Sequence, residues 1–310
     1  MTTPSPSPDA HLSPLRLMDV RFSRLGLGCA TFGREIDEAA AGVLMDHAIT
    51  REVNHFDLAA AYAKGESERI VGRWLADRKP APGTIFLSTK MLPPFTPDTV
   101  RASVENSLKA LCVDAIDIFY FHKWDDSAAD PQVLAMLDDL VRVGKIRSLG
   151  ASNFTAAQFA RVLDMQVAGG WARFQALQNN NNFAVRHIDD AYRAFCVKND
   201  VVIFTFSPLG SGFLTGKHQT GVVAGSRFDL VPNNQNIYFT EEAYRRLARL
   251  EHVSARSGLS KVQLALMWAV NQPGIAAMLV GGRTPAHLDQ AFDAMALDRS
   301  DLLDELAAEP

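Results

Sequence analysis

Eight times along this 310-residue chain, a short β-branched or aromatic run gives way to a turn and then to an amphipathic stretch of helical period. No other feature narrows the possible folds as far. The strand runs are Arg24–Leu27, Val53–Asp57, Ile85–Thr89, Ile116–Phe121, Ile146–Ala151, Phe174–Gln178, Val201–Phe206 and Ala277–Val280. Helical patterns lie near Ala39–Thr50, Glu66–Asp77, Pro97–Leu111, Pro131–Val143, Thr155–Val167, Ile188–Asn199, a double stretch from Thr240 to Gln272, and Pro285–Ala296. A helix after each strand carries the chain back, so successive strands run in parallel, and eight such units close into a (β/α)8 TIM barrel. A doubly wound open sheet shares this alternation but calls for a G-x-G-x-x-G turn after its first strand. The segment here reads LGLGCATFG at Leu25–Gly33, and the spacing of Gly26, Gly28 and Gly33 does not fit.

Composition sets the class of partner. A hydrophobic content of 47% at this length supplies one large core. The formal charge of -4 mixes 31 basic with 35 acidic side chains, without the long single-sign block of a nucleic-acid or membrane surface, so a small molecule is the expected partner. Cys29, Cys112 and Cys196 are odd in number and widely separated. They indicate neither a disulfide framework nor a metal site, and fit idle thiols in a reducing, cytoplasmic setting. The opening MTTPSPSPDAHLSP has no basic region leading into an apolar run, and nowhere do about 18 apolar residues follow one another. Pro4, Pro6, Pro8 and Pro14 keep it extended with little to bury, so residues 1–14 are expected to be disordered and 15–310 to form the barrel. The long stretch Gly210–Phe239, after the seventh strand, is rich in Gly, Asn and Ser and reads as a loop over a binding site.

In such a barrel the C-terminal ends of the strands converge on one mouth. The second strand ends at Asp57 with Tyr62 five residues on, the third runs into Lys90, and the fourth into His122. Singly, these residues have ordinary readings as a helix cap, a packing ring, or a satisfied imidazole. Together they make a proton-donating device. A phenol is a poor acid at neutral pH, but a nearby ammonium stabilises the phenolate, so Lys90 is expected to lower the pKa of Tyr62 and make it a general acid. Asp57 keeps Lys90 charged, and a neutral His122 orients a carbonyl oxygen by hydrogen bonding. No side chain supplies hydride, so a nicotinamide cofactor is implied.

The motifs around these residues resemble those of the aldo-keto reductases. NHFDLAAAY with GESERIVGRWL is similar to the segment carrying that family's Asp and Tyr, FLSTK to the segment with its Lys, and DIFYFHKWD to the segment with its His. GKIRSLGASNF at Gly144–Phe154 and FSPLGSGFLTGK at Phe206–Lys217 resemble two further signatures. The resemblance implies Asp57, Tyr62, Lys90 and His122 as the catalytic tetrad. It implies Ser152, Asn153 and Gln178 at the nicotinamide carboxamide. Ser207, Leu209, Gly212, Lys217 and Arg227 are implied around the pyrophosphate, with Gly281, Arg283, His287 and Gln290 at the adenosine end. Two positions depart from the pattern. Asn181 stands where an aromatic ring is expected to stack on the nicotinamide, and Gln290 and Ala291 replace a Glu-Asn pair.

The implied activity is reduction of an aldehyde or ketone by NADPH. Arg283, ahead of a helix starting near Pro285, favours NADP(H) because a guanidinium and a helix N-terminus both hold a 2′-phosphate. Two alternatives are a Schiff-base aldolase using Lys90 and a non-catalytic NADPH sensor. Phe32, Phe95, Trp124, Phe228, Tyr238 and Phe239 suggest an apolar or sugar-stacking mouth.

Overall fold

The computed structural model describes residues 12–17, 20–81 and 83–307. Strands β1 (Leu12–Leu17) and β2 (Val20–Ser23) form an antiparallel hairpin. The barrel strands are β3 (Leu25–Gly28), β4 (His55–Asp57), β5 (Phe86–Met91), β6 (Ile116–Phe121), β7 (Ile146–Ser152), β8 (Phe174–Asn180), β9 (Val202–Phe206) and β10 (Ile275–Gly281). Every neighbouring pair is parallel, and β10 closes onto β3. This is the expected (β/α)8 barrel.

Helices α1 (Glu38–Thr50), α2 (Glu66–Arg78), α3 (Pro97–Leu111), α4 (Pro131–Arg142), α5 (Ala156–Gly169) and α6 (Asp190–Lys198) each follow a strand. Except for α2, which starts at Gly65, their starts are set by side-chain caps, as at Thr96 before α3 and Thr155 before α5, where the residue three positions on bonds back to the cap. The short helices α7 (Arg227–Leu230) and α8 (Gln235–Tyr238) lie between β9 and α9 (Glu241–Ser257). The double helical stretch is split where Gly258, at φ 76°, ends α9 and Ser260 caps α10 (Lys261–Val270). After β10 come α11 (Pro285–Met295) and α12 (Ser300–Ala307). Among the described residues no helix is long and apolar enough to cross a membrane. No group of three or more His, Cys, Asp or Glu among them is arranged to hold a metal ion.

Two features differ from the sequence expectations. Residues 1–11 of the opening segment lie outside the described residues, but Leu12–Pro14, expected to be disordered, belong to β1, where Leu12 pairs with Ser23. Pro14 falls in the irregularity of the pairing between Leu12 and Arg16, a place where proline is tolerated. The hairpin brings Phe22 against Phe86, Phe204 and His55, closing the end of the barrel opposite the strand C-termini. The stretch Gly210–Phe239 is not irregular throughout. It folds into short helical turns because Phe213, Phe228, Tyr238 and Phe239 pack on one another.

Candidate active site

Alternation along a strand turns every second residue to the barrel interior, and this places the polar strand ends in one layer. Asp57 closes β4 and Lys90 lies in β5, both almost fully buried. Lys90 Nζ donates to Asp57 Oδ2 at 2.6 Å, to the Leu58 carbonyl at 2.5 Å and to Tyr62 Oη at 3.4 Å. Asp57 Oδ1 accepts from Ser88 Oγ at 2.7 Å and from Gln178 Nε2 at 2.8 Å. Tyr62 opens a short turn in which Ala63 and Lys64 hold φ near 48° and 55°, a conformation non-glycine residues adopt at a cost. Its ring stands edge-on to His122, the centroids 5.8 Å apart. The structure therefore brings together all four residues of the proposed tetrad.

The charges follow from this geometry. Burial alone would lower the Lys90 pKa, but Asp57 and Tyr62 opposite it leave it raised, so the ammonium persists. Lys90 is spent on three acceptors and does not line the cleft, which removes the nucleophile that a Schiff-base aldolase requires. Burial pushes His122 down to about 3, assisted by Lys90, so its imidazole is neutral at physiological pH, as expected. Tyr62 departs from expectation. Burial of its hydroxyl end outweighs the lowering by Lys90, and the phenol lies above its ordinary pKa. Tyr62 thus holds its proton firmly, and the ammonium is placed to meet the charge left once that proton goes.

Tyr62, His122 and Asp57 form one end of an elongated cleft of about 730 Å³ across the barrel mouth. Ser152 and Gln178, at the ends of β7 and β8, line it beside them, together with Asn153. Asn153 sits at φ 58° and donates to the His122 carbonyl at 2.9 Å. Ser207, Leu209, Gly212, Lys217 and Arg227 line it from the segment after β9, where Ser207, Gly210, Ser211 and Gly212 all have positive φ. Gly281, Arg283, His287 and Gln290 line the far end, mostly exposed. Arg227 is less available than the sequence suggests, because it pairs at 2.6 Å with Glu35, whose side chain is 1% exposed. Arg283 Nη2 likewise donates to the Gly225 carbonyl at 2.9 Å, so the loop is tied down at two points.

The sequence reading misses several lining residues and misplaces others. Asn181 is buried, does not line the cleft and forms an isolated bridge with Arg186. The phenylalanine ring in the cleft wall is Phe206, the residue before Ser207 in the FSPLG motif, and this neighbour relation was its signal. Asn180, His187 and Tyr238 also line the cleft. Phe32, Phe95 and Phe228 are core side chains and Trp124 packs on Phe154, so of the residues expected to make an aromatic mouth only Tyr238 lines the cleft.

The profile of the Aldo/keto reductase family matches residues 24–304. Protein tas of Escherichia coli is 28% identical over 96% of both chains. Aldo-keto reductase AMT2 of Alternaria alternata is 26% identical over 86% of this chain and 80% of its own. A probable voltage-gated potassium channel subunit beta of Oryza sativa is 25% identical over 93% of both. The solved glycerol dehydrogenase AKR11B4 from Gluconobacter oxydans shares the fold, with a TM-score of 0.77 at 24% identity over 97% of both chains. With the family profile spanning nearly the whole barrel, this chain is a member of the aldo/keto reductase family, and its fold and family are those of an oxidoreductase.

Proposed function

We propose that this protein reduces an aldehyde or ketone to an alcohol with NADPH, Tyr62 delivering the proton. The observation that carries this reading is the buried Lys90, held between Asp57 and Tyr62 in reach of both. A substrate carbonyl oxygen lying between Tyr62 Oη and the neutral His122 ring accepts hydrogen bonds from both. As the oxygen gains charge, Tyr62 gives up its proton, and Lys90 stabilises the phenolate left behind. Asp57 keeps Lys90 charged and oriented, and Gln178 and Ser88 hold Asp57 in turn. A bound nicotinamide supplies the hydride.

The residues present fit such a cofactor. At the exposed end of the cleft, Arg283 and Lys217 lie close enough to His287 that both add to burial in lowering its pKa, which marks a convergence of cations suited to phosphate. The N-terminus of α11 opens beside them, and its cap, Thr284, makes no side-chain bond to the first-turn N–H groups. Ser152, Asn153 and Gln178 offer amide and hydroxyl partners at the other end, and the Phe206 ring a flat apolar wall. Following NADPH absorbance across a panel of aldehydes, ketones and sugars tests the reading, and carbonyl-dependent consumption is expected.

A second reading, a non-catalytic NADPH sensor, is favoured by one observation: a relative bears the name of a probable voltage-gated potassium channel subunit beta. Tight NADPH binding with no turnover of any reactive carbonyl would support it.

A further inference from the structure

Beneath the Asp57–Lys90 pair, Ser88 connects Asp57 to a buried histidine, His55, not used in the chemistry above. His55 and Asp57 are two residues apart on β4, and Ser88 and Lys90 two apart on β5, so all four face the barrel interior. The strand register sets Asp57 beside Ser88. Ser88 Oγ is 2.7 Å from Asp57 Oδ1 and 2.9 Å from His55 Nε2. An ionised carboxylate only accepts, so the single Ser88 proton is committed to Asp57. The contact with His55 then has one reading: Nε2 carries the proton and donates to Ser88, leaving Nδ1 as a bare acceptor. His55 Nδ1 is indeed buried without a hydrogen-bond partner. The ring sits among Phe22, Phe86 and Phe204, and burial pushes it down to about 4, so it is neutral wherever the enzyme is folded near neutral pH. A fourth aromatic hydrocarbon would fill this space without burying an unpaired nitrogen.

We propose that His55, acting through Ser88, is a positioning residue for the proton-donating device, its donor chain drawing Asp57 charge inward and leaving more of the Lys90 field to Tyr62. This rests on the reading of Tyr62 as the proton donor. Asp57 Oδ2 holds Lys90, while Oδ1 takes two donors, Ser88 and Gln178. Each donor on Oδ1 makes the carboxylate a weaker partner for the ammonium. Removing the Ser88 donor concentrates charge on the Lys90 side, so the pair acts more nearly as a neutral unit and a Tyr62 phenolate is less stabilised. Besides Lys90 and Asp57, Tyr62 faces Cys29 after β3 and His122 after β6; Asp57 also faces Tyr120 on β6, and Lys123 adjoins His122. The substitutions below leave these groups in place.

The test reads Tyr62 directly, by ultraviolet titration of its phenolate as the difference between each protein and the same protein carrying Tyr62→Phe. The pH profile of carbonyl reduction is measured alongside. Ser88→Ala and His55→Phe are each expected to move the Tyr62 titration and the alkaline limb of the profile to higher pH. Each should lower kcat about 2- to 10-fold, as for a lost hydrogen bond, with KM for NADPH unchanged. His55→Phe retains the aromatic packing, and His55→Gln, whose amide N–H reaches the same hydroxyl, should restore most of the lost kcat. Because the two residues act in series, Ser88→Ala with His55→Phe should shift no further than Ser88→Ala alone. An unmoved Tyr62 titration in Ser88→Ala, additive shifts in the double variant, or a lowered Tm as the only change would each overturn the relay. Parent-like turnover in Tyr62→Phe would instead overturn the reading of Tyr62 as the acid, a separate result.

Discussion

The two ends of the cleft are built on opposite principles. At the chemical end, Asp57 and Lys90 are almost wholly buried and held by strands, and their hydrogen bonds, to each other, to Ser88 and Gln178 and to the Leu58 carbonyl, are shielded from water inside the barrel. At the far end, Lys217, Arg283, His287 and Gln290 are exposed, and Arg283 holds the Gly225 carbonyl of the loop after β9 at the surface. A proton device must hold charges at fixed distances in a dry setting, where they act strongly. A phosphate grip works in water with forked donors and gives up easily. Substitutions at the buried end should therefore cost far more, in rate and in stability, than those at the exposed end.

The largest effect is expected for Lys90→Met. It removes the charge facing Tyr62 and leaves Asp57 buried without its partner, which typically costs about 3–5 kcal/mol of stability. Carbonyl reduction should fall to near background, and thermal unfolding should show a lower Tm. Asp57→Asn should be milder in rate, since Lys90 keeps the Leu58 carbonyl. If Asp57→Asn proved the more damaging in kcat, Asp57 would have to transfer the proton itself. Next in size, Arg283→Ala should weaken NADPH about 10- to 150-fold while hardly changing NADH, in binding titrations of both. Equal losses for the two cofactors would mean that Arg283 does not read the 2′-phosphate. His287→Ala should give a smaller loss of the same selectivity, because its own Nδ1 accepts the Arg283 backbone N–H and its ring is held neutral.

The pH dependence of stability sharpens the contrast. His55 and His122 titrate near 4 and 3 in the folded protein, below the ordinary imidazole value. Between those values and about 6.5 the unfolded chain binds protons that the folded chain refuses, so the stability they confer is present above about 6.5 and lost as pH falls. Each contributes a slope of about 1.4 kcal/mol per pH unit within its window. Denaturant unfolding across pH 4–7 should show His55→Phe losing less stability on acidification than the parent, while His287→Ala, at the exposed end, differs little.

The same contrast explains what was legible in the sequence. The barrel follows from eight strand-helix units, and the grouping of Asp57, Tyr62, Lys90 and His122, the proposed tetrad, from polar residues at the ends of strands whose direction was already set. Spacing gives the face of a strand, so His55, Ser88 and their partners were within reach of the pattern, but it does not say that Ser88 bridges the other two. Side-chain direction beyond a strand end is set by tertiary packing. Asn181 turns into the protein, Phe206 takes the cleft wall, and Phe32, Phe95 and Phe228 go to the core because burial rewards large rings more than a wet mouth does. The pairing of Glu35 with Arg227 joins residues far apart in the chain, and no local signal marks it.

Turnover by Tyr62→Phe, measured with NADPH affinity on the same preparation, tests the proton device most directly. The substitution removes one proton and leaves the cation, the carboxylate and the distant phosphate grip in place. The expected result is a loss of about 10²–10⁴-fold in carbonyl reduction with an essentially unchanged Kd for NADPH. Turnover near the parent level would contradict the assignment of Tyr62 as the acid.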